Sequence, residues 1–290
     1  ILEKLSKGEK VIAKEGGVLA LGANCLPDLP KDLTDRNRTS PFAFTGNKFE
    51  FRMQPSSDSI AGANVVLNTI VAEILSKYAE RLEKAKDKQA EIAKIVKESY
   101  TAHKKVVFNG NGYSQEWQEE AAKRGLPNIK TTVESIPALN AKDSVALFTK
   151  HKVFTKEELD SRYHIYLEKY AKTINIESGV LVQMVKNSLV PAAIEYATSL
   201  AGSIATIGDV LGDEKDLAES KAVLKELVKA IKQAQKAVAV LEEEKEKAHH
   251  VEEIYKHAKY WHDKVFVQMG EVRAAADKIE RVLDFLLGEG

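Results

Sequence analysis

The residues with the clearest potential for chemistry lie in a short segment near the N-terminus, where cations, a carboxylate and phenylalanines alternate. Strict alternation from Lys48 to Arg52 predicts a β-strand, because successive side chains of a strand point to opposite faces. Phe49 and Phe51 should then face a core. Lys48, Glu50 and Arg52 should form a row of cation, anion and cation on the other face. A carboxylate between two cations stays ionised, as a ligand for a hard metal ion should.

Two further arginines, Arg36 and Arg38, precede this strand by a short loop. The planar guanidinium fork of arginine suits it to hold a carboxylate or a phosphate through two hydrogen bonds. The segment therefore favours a site for a metal ion and an anionic substrate. A solvated strand face with ordinary ion pairs has the same composition and stays open as the alternative.

Other clusters have weaker spacing. Gly110 and Gly112 flank an asparagine as in phosphate-binding turns, but no P-loop or dinucleotide-binding spacing surrounds them, so a simple turn is favoured. His250, Glu253 and His257 share one face if the segment is helical. A solvated helix face is favoured over a metal site there, because no required ligand spacing is met. The isolated histidines, His151 among them, indicate no site.

The arginine-rich segment carries a family resemblance. Residues 36–52 (RNRTSPFAFTGNKFEFR) resemble the catalytic-domain signature of glutamine synthetases, specifically the long type III bacterial form. Residues 59–70 (SIAGANVVLNTI) are similar to the next block of that family, in which an asparagine opens a helix behind the site. The similarity continues in four blocks of the C-terminal part, at residues 108–114 (FNGNGYS), 124–128 (RGLPN), 161–163 (SRY) and 172–177 (KTINIE).

The resemblance implies ATP-dependent ligation of ammonia to glutamate through a γ-glutamyl phosphate, with Mg²⁺ or Mn²⁺ as the divalent ion. At matching positions, Glu50 resembles the metal-binding carboxylate and Arg52 the arginine that holds the substrate glutamate. Arg38 resembles the arginine that faces the transferred phosphate. Arg36 and Lys48 resemble basic residues near the nucleotide. Electrostatic stabilisation of a transferring phosphoryl group is the role of such a set.

The sequence also departs from the family pattern. The arginine-bearing insertion that other members have is shortened here to Thr39–Asn47. The mobile acidic residue of the family, which closes over the ammonium site, corresponds to Asp32 or Asp35. The remaining metal ligands and the small N-terminal β-domain of the family have no counterpart in residues 1–290. The resemblance therefore implies a C-terminal part of the enzyme that is inactive as an isolated fragment.

The elements around this segment are predicted to be mostly helical. A short strand is expected at residues 17–21, and periodic apolar residues predict helices from about Ala61 and from Asp87 to Lys105. Ser114 should cap a short helix that ends at Gly125. A capping-box spacing at Thr155 predicts a helix to about Lys172. A separate apolar helix is expected at 176–207, with Pro191 as a kink.

The last eighty residues have the clearest periodicity, two apolar stripes with alternating spacings of three and four. The first runs from Leu217 to Leu241 and the second from Val251 to Leu286, with the polar segment Glu242–His250 between them. We interpret the stripes as two antiparallel helices packed within one chain. The predicted fold class is mainly α with a small β portion: residues 1–85 form the C-terminal part of an α+β catalytic domain, and residues 86–290 form a type III-specific helical region.

Composition limits the classes of partner. The chain has 43 Lys and Arg against 43 Asp and Glu, so its zero net charge predicts neither nucleic acid nor an anionic membrane as partner. Its single cysteine, Cys25, excludes an internal disulfide and favours a reducing, cytoplasmic setting. No secretory signal or membrane span is predicted.

Two hypotheses follow. The first is part of a glutamate–ammonia ligase with glutamate, ammonia and ATP as ligands, and the resemblance implies a ring-shaped homo-oligomer for the full-length protein. The second is a stand-alone, non-catalytic helical interaction module derived from that enzyme.

Overall fold

The computed structural model describes residues 2–9, 18–19, 29–30, 42–44, 49–52, 59–108, 110–212 and 217–287. The chain divides into two compact units. The first comprises residues 1–129 and 145–155, and the second comprises residues 130–144 and 156–290.

Among the described residues of the first unit, four short strands form two antiparallel pairs. Strand β1 (Val18–Leu19) pairs with β2 (Leu29–Pro30), and β3 (Phe42–Phe44) pairs with β4 (Phe49–Phe51). Strands are therefore present within both predicted segments, at Val18–Leu19 inside residues 17–21 and at Phe49–Phe51 inside residues 48–52.

Helices α1 (Leu2–Ser6), α2 (Ala61–Lys84), α3 (Lys88–His103) and α4 (Gln115–Lys123) complete the N-terminal part of the first unit. A single 3₁₀ turn, Lys104–Val106, follows α3. Asp87 caps α3 by accepting hydrogen bonds from the backbone N–H groups of Gln89 and Ala90. The Tyr78 and Ser99 hydroxyls, 2.8 Å apart, link α2 to α3.

The second unit begins with the short helix α5 (Thr132–Ser135) and a 3₁₀ segment, Ile136–Asn140. Helix α6 (Lys142–Lys150) follows, and its residues from 145 onwards belong to the first unit. Helix α7 (Lys156–Met184) begins immediately after Thr155, as predicted.

The helix predicted to end near residue 172 continues without a break. The prediction of a separate helix that begins at residue 176 is therefore wrong. Helix α7 passes through a π-helical turn, Val185–Leu189, into α8 (Val190–Leu211). The irregularity lies just before Pro191. The proline ring has no N–H and crowds the carbonyl four residues earlier. A wider π turn accommodates both effects while the helix continues.

The C-terminal stripes form the predicted antiparallel pair. Helix α9 (Ala218–His249) packs against α11 (Val267–Leu287), which is preceded by α10 (Ile254–Tyr260) and a second π-helical turn, Trp261–Phe266. Along the contact between the two arms, residue numbers rise on one arm as they fall on the other. The Tyr260 hydroxyl donates to the Glu244 carboxylate (2.8 Å), and the Gln268 amide donates to the Ala237 carbonyl (3.2 Å).

The core of the second unit consists of the inner faces of α7, α8, α9 and α11 with both π turns. Its largest fully buried side chains are Trp261, Leu227, Leu241, Ile279, Val238, Val265 and Val272. Leu167 is buried in a second cluster with Val133, Ile136 and Ala258. The predicted stripe positions on α9 between Leu227 and Leu241 are all buried. Apolar packing, rather than a partner helix, explains these stripes.

The described elements confirm a mainly α fold with a small β portion. None of the described helices is long and apolar enough to cross a membrane. The domain boundary at residue 85, between the catalytic-domain part and the type III-specific helical region, stays a prediction.

Candidate functional site

The predicted site centres on the hairpin of β3 and β4, where Glu50 and Arg52 follow each other on one face. The register pairs Phe42 with Phe51, Ala43 with Glu50 and Phe44 with Phe49. Because Glu50 and Arg52 are two positions apart on an extended backbone, their side chains project to the same side. They form an ion pair: Nε and Nη2 of Arg52 donate to Oε2 of Glu50 at 3.2 and 3.1 Å.

The burial of this hairpin differs from the prediction. Phe49 and Phe51 were expected to face a core, but they are 59% and 37% exposed. Phe49 stacks on Phe42, with ring centroids 4.9 Å apart. The side chains of Arg52 and Glu50 are 21% and 39% exposed. A two-stranded hairpin buries a face only where another element packs on it, so alternation predicts which side chains share a face and leaves open which face is covered.

Three of the five predicted site residues cannot be placed beside this pair. Arg36, Arg38 and Lys48 lie outside the described residues, as do Asp32, Asp35 and Cys25. Their predicted roles therefore stay predictions.

The described residues do not form a metal site by themselves. A divalent ion needs several oxygen or nitrogen ligands. No group of three or more His, Cys, Asp or Glu side chains that could hold a metal occurs in the described part of the chain. Glu50 fits the chemistry of one such ligand, and the others would have to come from outside these residues.

Helix α2 follows the hairpin and has the predicted asparagine in its first turn. The Ser59 hydroxyl accepts a hydrogen bond from the backbone N–H of Ala61 at the helix start. The Asn64 carbonyl accepts the Asn68 side-chain amide at 2.8 Å. Asn64 thus belongs to the opening turn of this helix, although it does not cap it.

One cluster in the first unit was missed by the sequence analysis. The Glu73 carboxylate on α2 receives the Lys150 ammonium (2.7 Å), the Lys77 ammonium (3.1 Å) and the His151 Nε2 (2.7 Å). The hydrogen bonds from Lys150, His151 and Lys77 lower the pKa of Glu73 to about 2. His151, interpreted as isolated, therefore has a specific partner. Only the Glu73–Lys77 spacing of four was visible in the sequence.

Residues 111–114 form a turn: the Ser114 N–H donates to the Asn111 carbonyl at 3.1 Å. The Asn111 Oδ1 accepts from the Tyr113 N–H at 3.0 Å. Beside the turn, the Phe108 ring stacks on Trp117 with centroids 4.4 Å apart, and the Arg124 guanidinium lies 5.5 Å from the centroid of Trp117. Arg124 also donates to the carbonyls of Lys105 and Val107. These contacts close the loop before α4.

The histidines and glutamate at the C-terminal hairpin do not form a metal site. His250 follows the end of α9, whereas Glu253 caps α10 by accepting from the N–H groups of Tyr255 and Lys256. The Nε2 of His257 accepts the indole N–H of Trp261 at 2.7 Å. A turn thus separates residues that a continuous helix would have placed on one face.

Comparison with known proteins agrees with the resemblance. Residues 91–208 match the glutamine synthetase C-terminal domain. The chain is 41% identical over 263 residues to a glutamine synthetase of Butyrivibrio fibrisolvens, covering 87% of this chain and 36% of the relative. It is 36% identical over 274 residues to the type-3 glutamine synthetase of Dictyostelium discoideum, covering 91% of this chain and 37% of the relative.

A third relative is a glutamine synthetase of Bacteroides fragilis, 34% identical over 281 residues, which cover 96% of this chain and 38% of the relative. The chain thus spans little more than a third of the length of these relatives. Residues 91–208 thus match the glutamine synthetase C-terminal domain, and most of the chain is similar to proteins named glutamine synthetase, one of them of type 3.

Proposed function

We propose that this chain is part of a glutamate–ammonia ligase that forms glutamine through γ-glutamyl phosphate at the expense of ATP. The observation that carries the proposal is the ion pair between Glu50 on β4 and Arg52 directly after it, within a chain similar to glutamine synthetases. A carboxylate and a guanidinium on one strand face can act on neighbouring parts of one anionic substrate complex.

Each site residue has a proposed role. Arg52 holds the carboxylate of the substrate glutamate. Arg38 faces the transferred phosphoryl group, where positive charge stabilises the charge on its oxygens. Arg36 and Lys48 lie near the nucleotide.

The ion pair suggests how Arg52 is held before substrate arrives. Its Nε and Nη2 both contact one oxygen of Glu50, so the guanidinium plane is already oriented. A substrate carboxylate would compete with Glu50 for the same N–H groups. The fixed orientation of the guanidinium would reduce the entropic cost of binding, and the loss of its hydrogen bonds to Glu50 would offset part of that gain.

Glu50 is the proposed ligand of Mg²⁺ or Mn²⁺, which would offset the charge on the phosphates. The other ligands would come from outside the described residues. We further propose a cytoplasmic, ring-shaped homo-oligomer for the full-length protein, with neither nucleic acid nor a membrane as partner. The neutral charge balance and the single cysteine support this setting.

The test uses the complete gene product. Glu50→Gln keeps the shape and removes the charge, so turnover should fall and the dependence on divalent ion should weaken. Arg52→Lys keeps the charge and removes the fork, so the apparent KM for glutamate should rise. Arg273→Lys and Asp277→Asn, which alter an ion pair on α11 between an exposed arginine and a half-buried aspartate, serve as matched controls. Metal and glutamate dependence unchanged in both Glu50→Gln and Arg52→Lys would exclude the hairpin from the site.

The second candidate function is a non-catalytic helical interaction module, favoured by the predominance of helix in the described residues. Under the leading proposal the 290-residue chain shows no turnover with ATP, glutamate and ammonia, whereas the complete gene product does. Turnover by the purified chain would contradict the half-site interpretation. Inactivity of the complete gene product would favour the module.

A further inference from the structure

Helix α9 carries four lysines in one row on its exposed face. Lys225, Lys229, Lys232 and Lys236 follow one another at spacings of four, three and four, and all four are exposed. At 1.5 Å per residue the row is about 16 Å long. We call these four residues the lysine row.

The lysine row lacks the intramolecular partners that other lysines of the chain have. Lys156, Lys172, Lys247 and Lys259 each pair with a carboxylate one helical turn away. Within the described residues, no ion pair or hydrogen bond is found for any member of the lysine row. The one acidic residue between positions 220 and 241 is Glu226.

This arrangement weakens the helix on its own. Like charges at spacings of three and four repel each other and destabilise a helix. The row therefore breaks a local rule of helix design without a compensating contact in its own chain. Such departures are expected where a surface has a function.

The matching charge lies at the other end of the same hairpin. Residues 242–253, which we call the acidic tip, contain six glutamates (Glu242, Glu243, Glu244, Glu246, Glu252 and Glu253) and two lysines. Their net charge is −4, whereas residues 220–241, with five lysines and Glu226, have a net charge of +4. The hairpin is thus strongly polarised in a chain whose net charge is zero.

We propose that the lysine row docks on the acidic tip of a second copy of this chain. Opposite potentials on two surfaces steer association and fix which surfaces meet. Glu243 pairs with Lys247 and Glu246 lies 3.6 Å from His250, but their side chains are 64% and 76% exposed, so a second copy can still reach the outer faces of both carboxylates. The lysine row of one copy contacts the acidic tip of the next, so the two contacting surfaces differ. The association is therefore head-to-tail and can continue from copy to copy.

Other anionic partners fit the row less well. Protein surfaces that bind single-stranded nucleic acid combine cations with aromatic side chains. The lysine row has no aromatic side chain. Helices that lie on membranes bear a broad apolar face next to their lysines. Along the row, Val228 is the large apolar side chain that is exposed.

Exposed ion pairs are individually weak and screened by salt. The proposed self-association should therefore be detectable by analytical ultracentrifugation at low ionic strength. It should weaken by tenfold or more between about 0.01 M and about 1 M salt, as the Debye length shortens from about 30 Å to about 3 Å. Association that is insensitive to salt would overturn the proposal.

A charge swap identifies the two surfaces. One variant changes the lysine row to glutamate (Lys225→Glu, Lys229→Glu, Lys232→Glu and Lys236→Glu). The other changes exposed residues of the acidic tip to lysine (Glu243→Lys, Glu246→Lys and Glu252→Lys). As the purified 290-residue chain, each variant alone should remain monomeric, because its row and tip then carry charge of the same sign. An equimolar mixture should associate again, because the tip of each variant complements the row of the other.

A control changes four exposed lysines of the first unit, Lys84, Lys86, Lys88 and Lys97, to glutamate. It alters the net charge by the same amount as the lysine-row variant. Its self-association constant should stay within about twofold of wild type, since short-range contacts rather than net charge carry the interaction.

Circular dichroism checks that every variant keeps its helices. Failure of the folded mixture to associate overturns the proposal. Binding of wild type to anionic phosphatidylserine vesicles or to single-stranded DNA without self-association would also overturn it. Catalytic activity enters none of these measurements.

Discussion

The Nε2 of His151 lies 2.7 Å from the Glu73 carboxylate, although the two residues are 78 positions apart in the chain. Glu73 is on α2, and His151 follows the last residue of α6. The contact is therefore a tertiary link within the first unit, strengthened by Lys150 on the same carboxylate.

We expect this link to make stability sensitive to acid. The hydrogen bonds from Lys150, His151 and Lys77 lower the pKa of Glu73 from 4.5 to about 2, so the folded protein binds this proton less readily than the unfolded chain. The stabilisation is fully present above pH 4.5 and is lost as pH falls towards 2. Glu73→Gln should be less stable than wild type at pH 7, and the difference should shrink in acid. Urea unfolding at a series of pH values measures it. A difference that stays constant down to pH 2 would contradict the prediction.

A second pH effect is expected at the C-terminal hairpin. Burial, with a smaller contribution from nearby His249, lowers the pKa of His257 below 6.5. Its Nε2 accepts the indole N–H of the buried Trp261, and protonation of that nitrogen removes the acceptor. The folded state therefore binds the proton less readily, so stability is present above pH 6.5 and is lost as pH falls through the lowered pKa.

The measurement is an NMR titration of His257 together with unfolding between pH 7 and 5. His257→Gln offers a carbonyl acceptor that does not titrate, so this variant should lose the part of the pH dependence that His257 causes. A titration midpoint for His257 at or above 6.5 would show that the imidazole is not shielded as described.

Leu227 and Val228 provide a matched pair on α9. Leu227 is fully buried in the core of the second unit, whereas Val228 is 53% exposed. Leu227→Ala should lower the free energy of unfolding by about 2–5 kcal/mol, because the substitution removes buried methyl groups and leaves a cavity. Val228→Ala should change it by less than about 0.5 kcal/mol. Equal effects in denaturant titration would place the apolar stripe elsewhere.

Lys152 and Gly125 close two helices with the same backbone motif. Gly125 has φ +67° after α4, and Lys152 has φ 53° after α6. In both, the next residue donates to a carbonyl five positions earlier: Leu126 to Ala121, and Val153 to Phe148. Glycine adopts this conformation without the steric penalty that a side chain meets.

Lys152→Gly should therefore raise the free energy of unfolding by up to about 1 kcal/mol, the steric gain being partly offset by the greater backbone entropy of glycine in the unfolded chain. The reverse change, Gly125→Lys, should lower it by about the same amount. Chemical denaturation of the two variants measures both. Destabilisation by Lys152→Gly would mean that the lysine side chain makes a contact that outweighs the strain.

Local sequence determined most of the helices of this protein. Apolar residues at spacings of three and four specified α9 and α11, because burial on one side of a helix requires that period. Ser114 and Gly125 marked the ends of α4, since an N-cap hydroxyl and a left-handed glycine satisfy the unpaired backbone groups there. The Glu50–Arg52 adjacency followed from strand alternation alone, which is independent of distant contacts.

Tertiary structure decided the features that depend on distant residues. Pairing of His151 with Glu73 required α2 and the end of α6 to meet, and no local period encodes that meeting. Alternation placed Phe49 and Phe51 on one side, but only packing could decide whether that side was covered. Near Pro191, sequence predicted a disruption, and packing of both flanking segments on one core kept the helix continuous through a π turn. Local rules act through backbone geometry over a few residues, whereas burial and ion pairing depend on which surfaces the whole chain brings together.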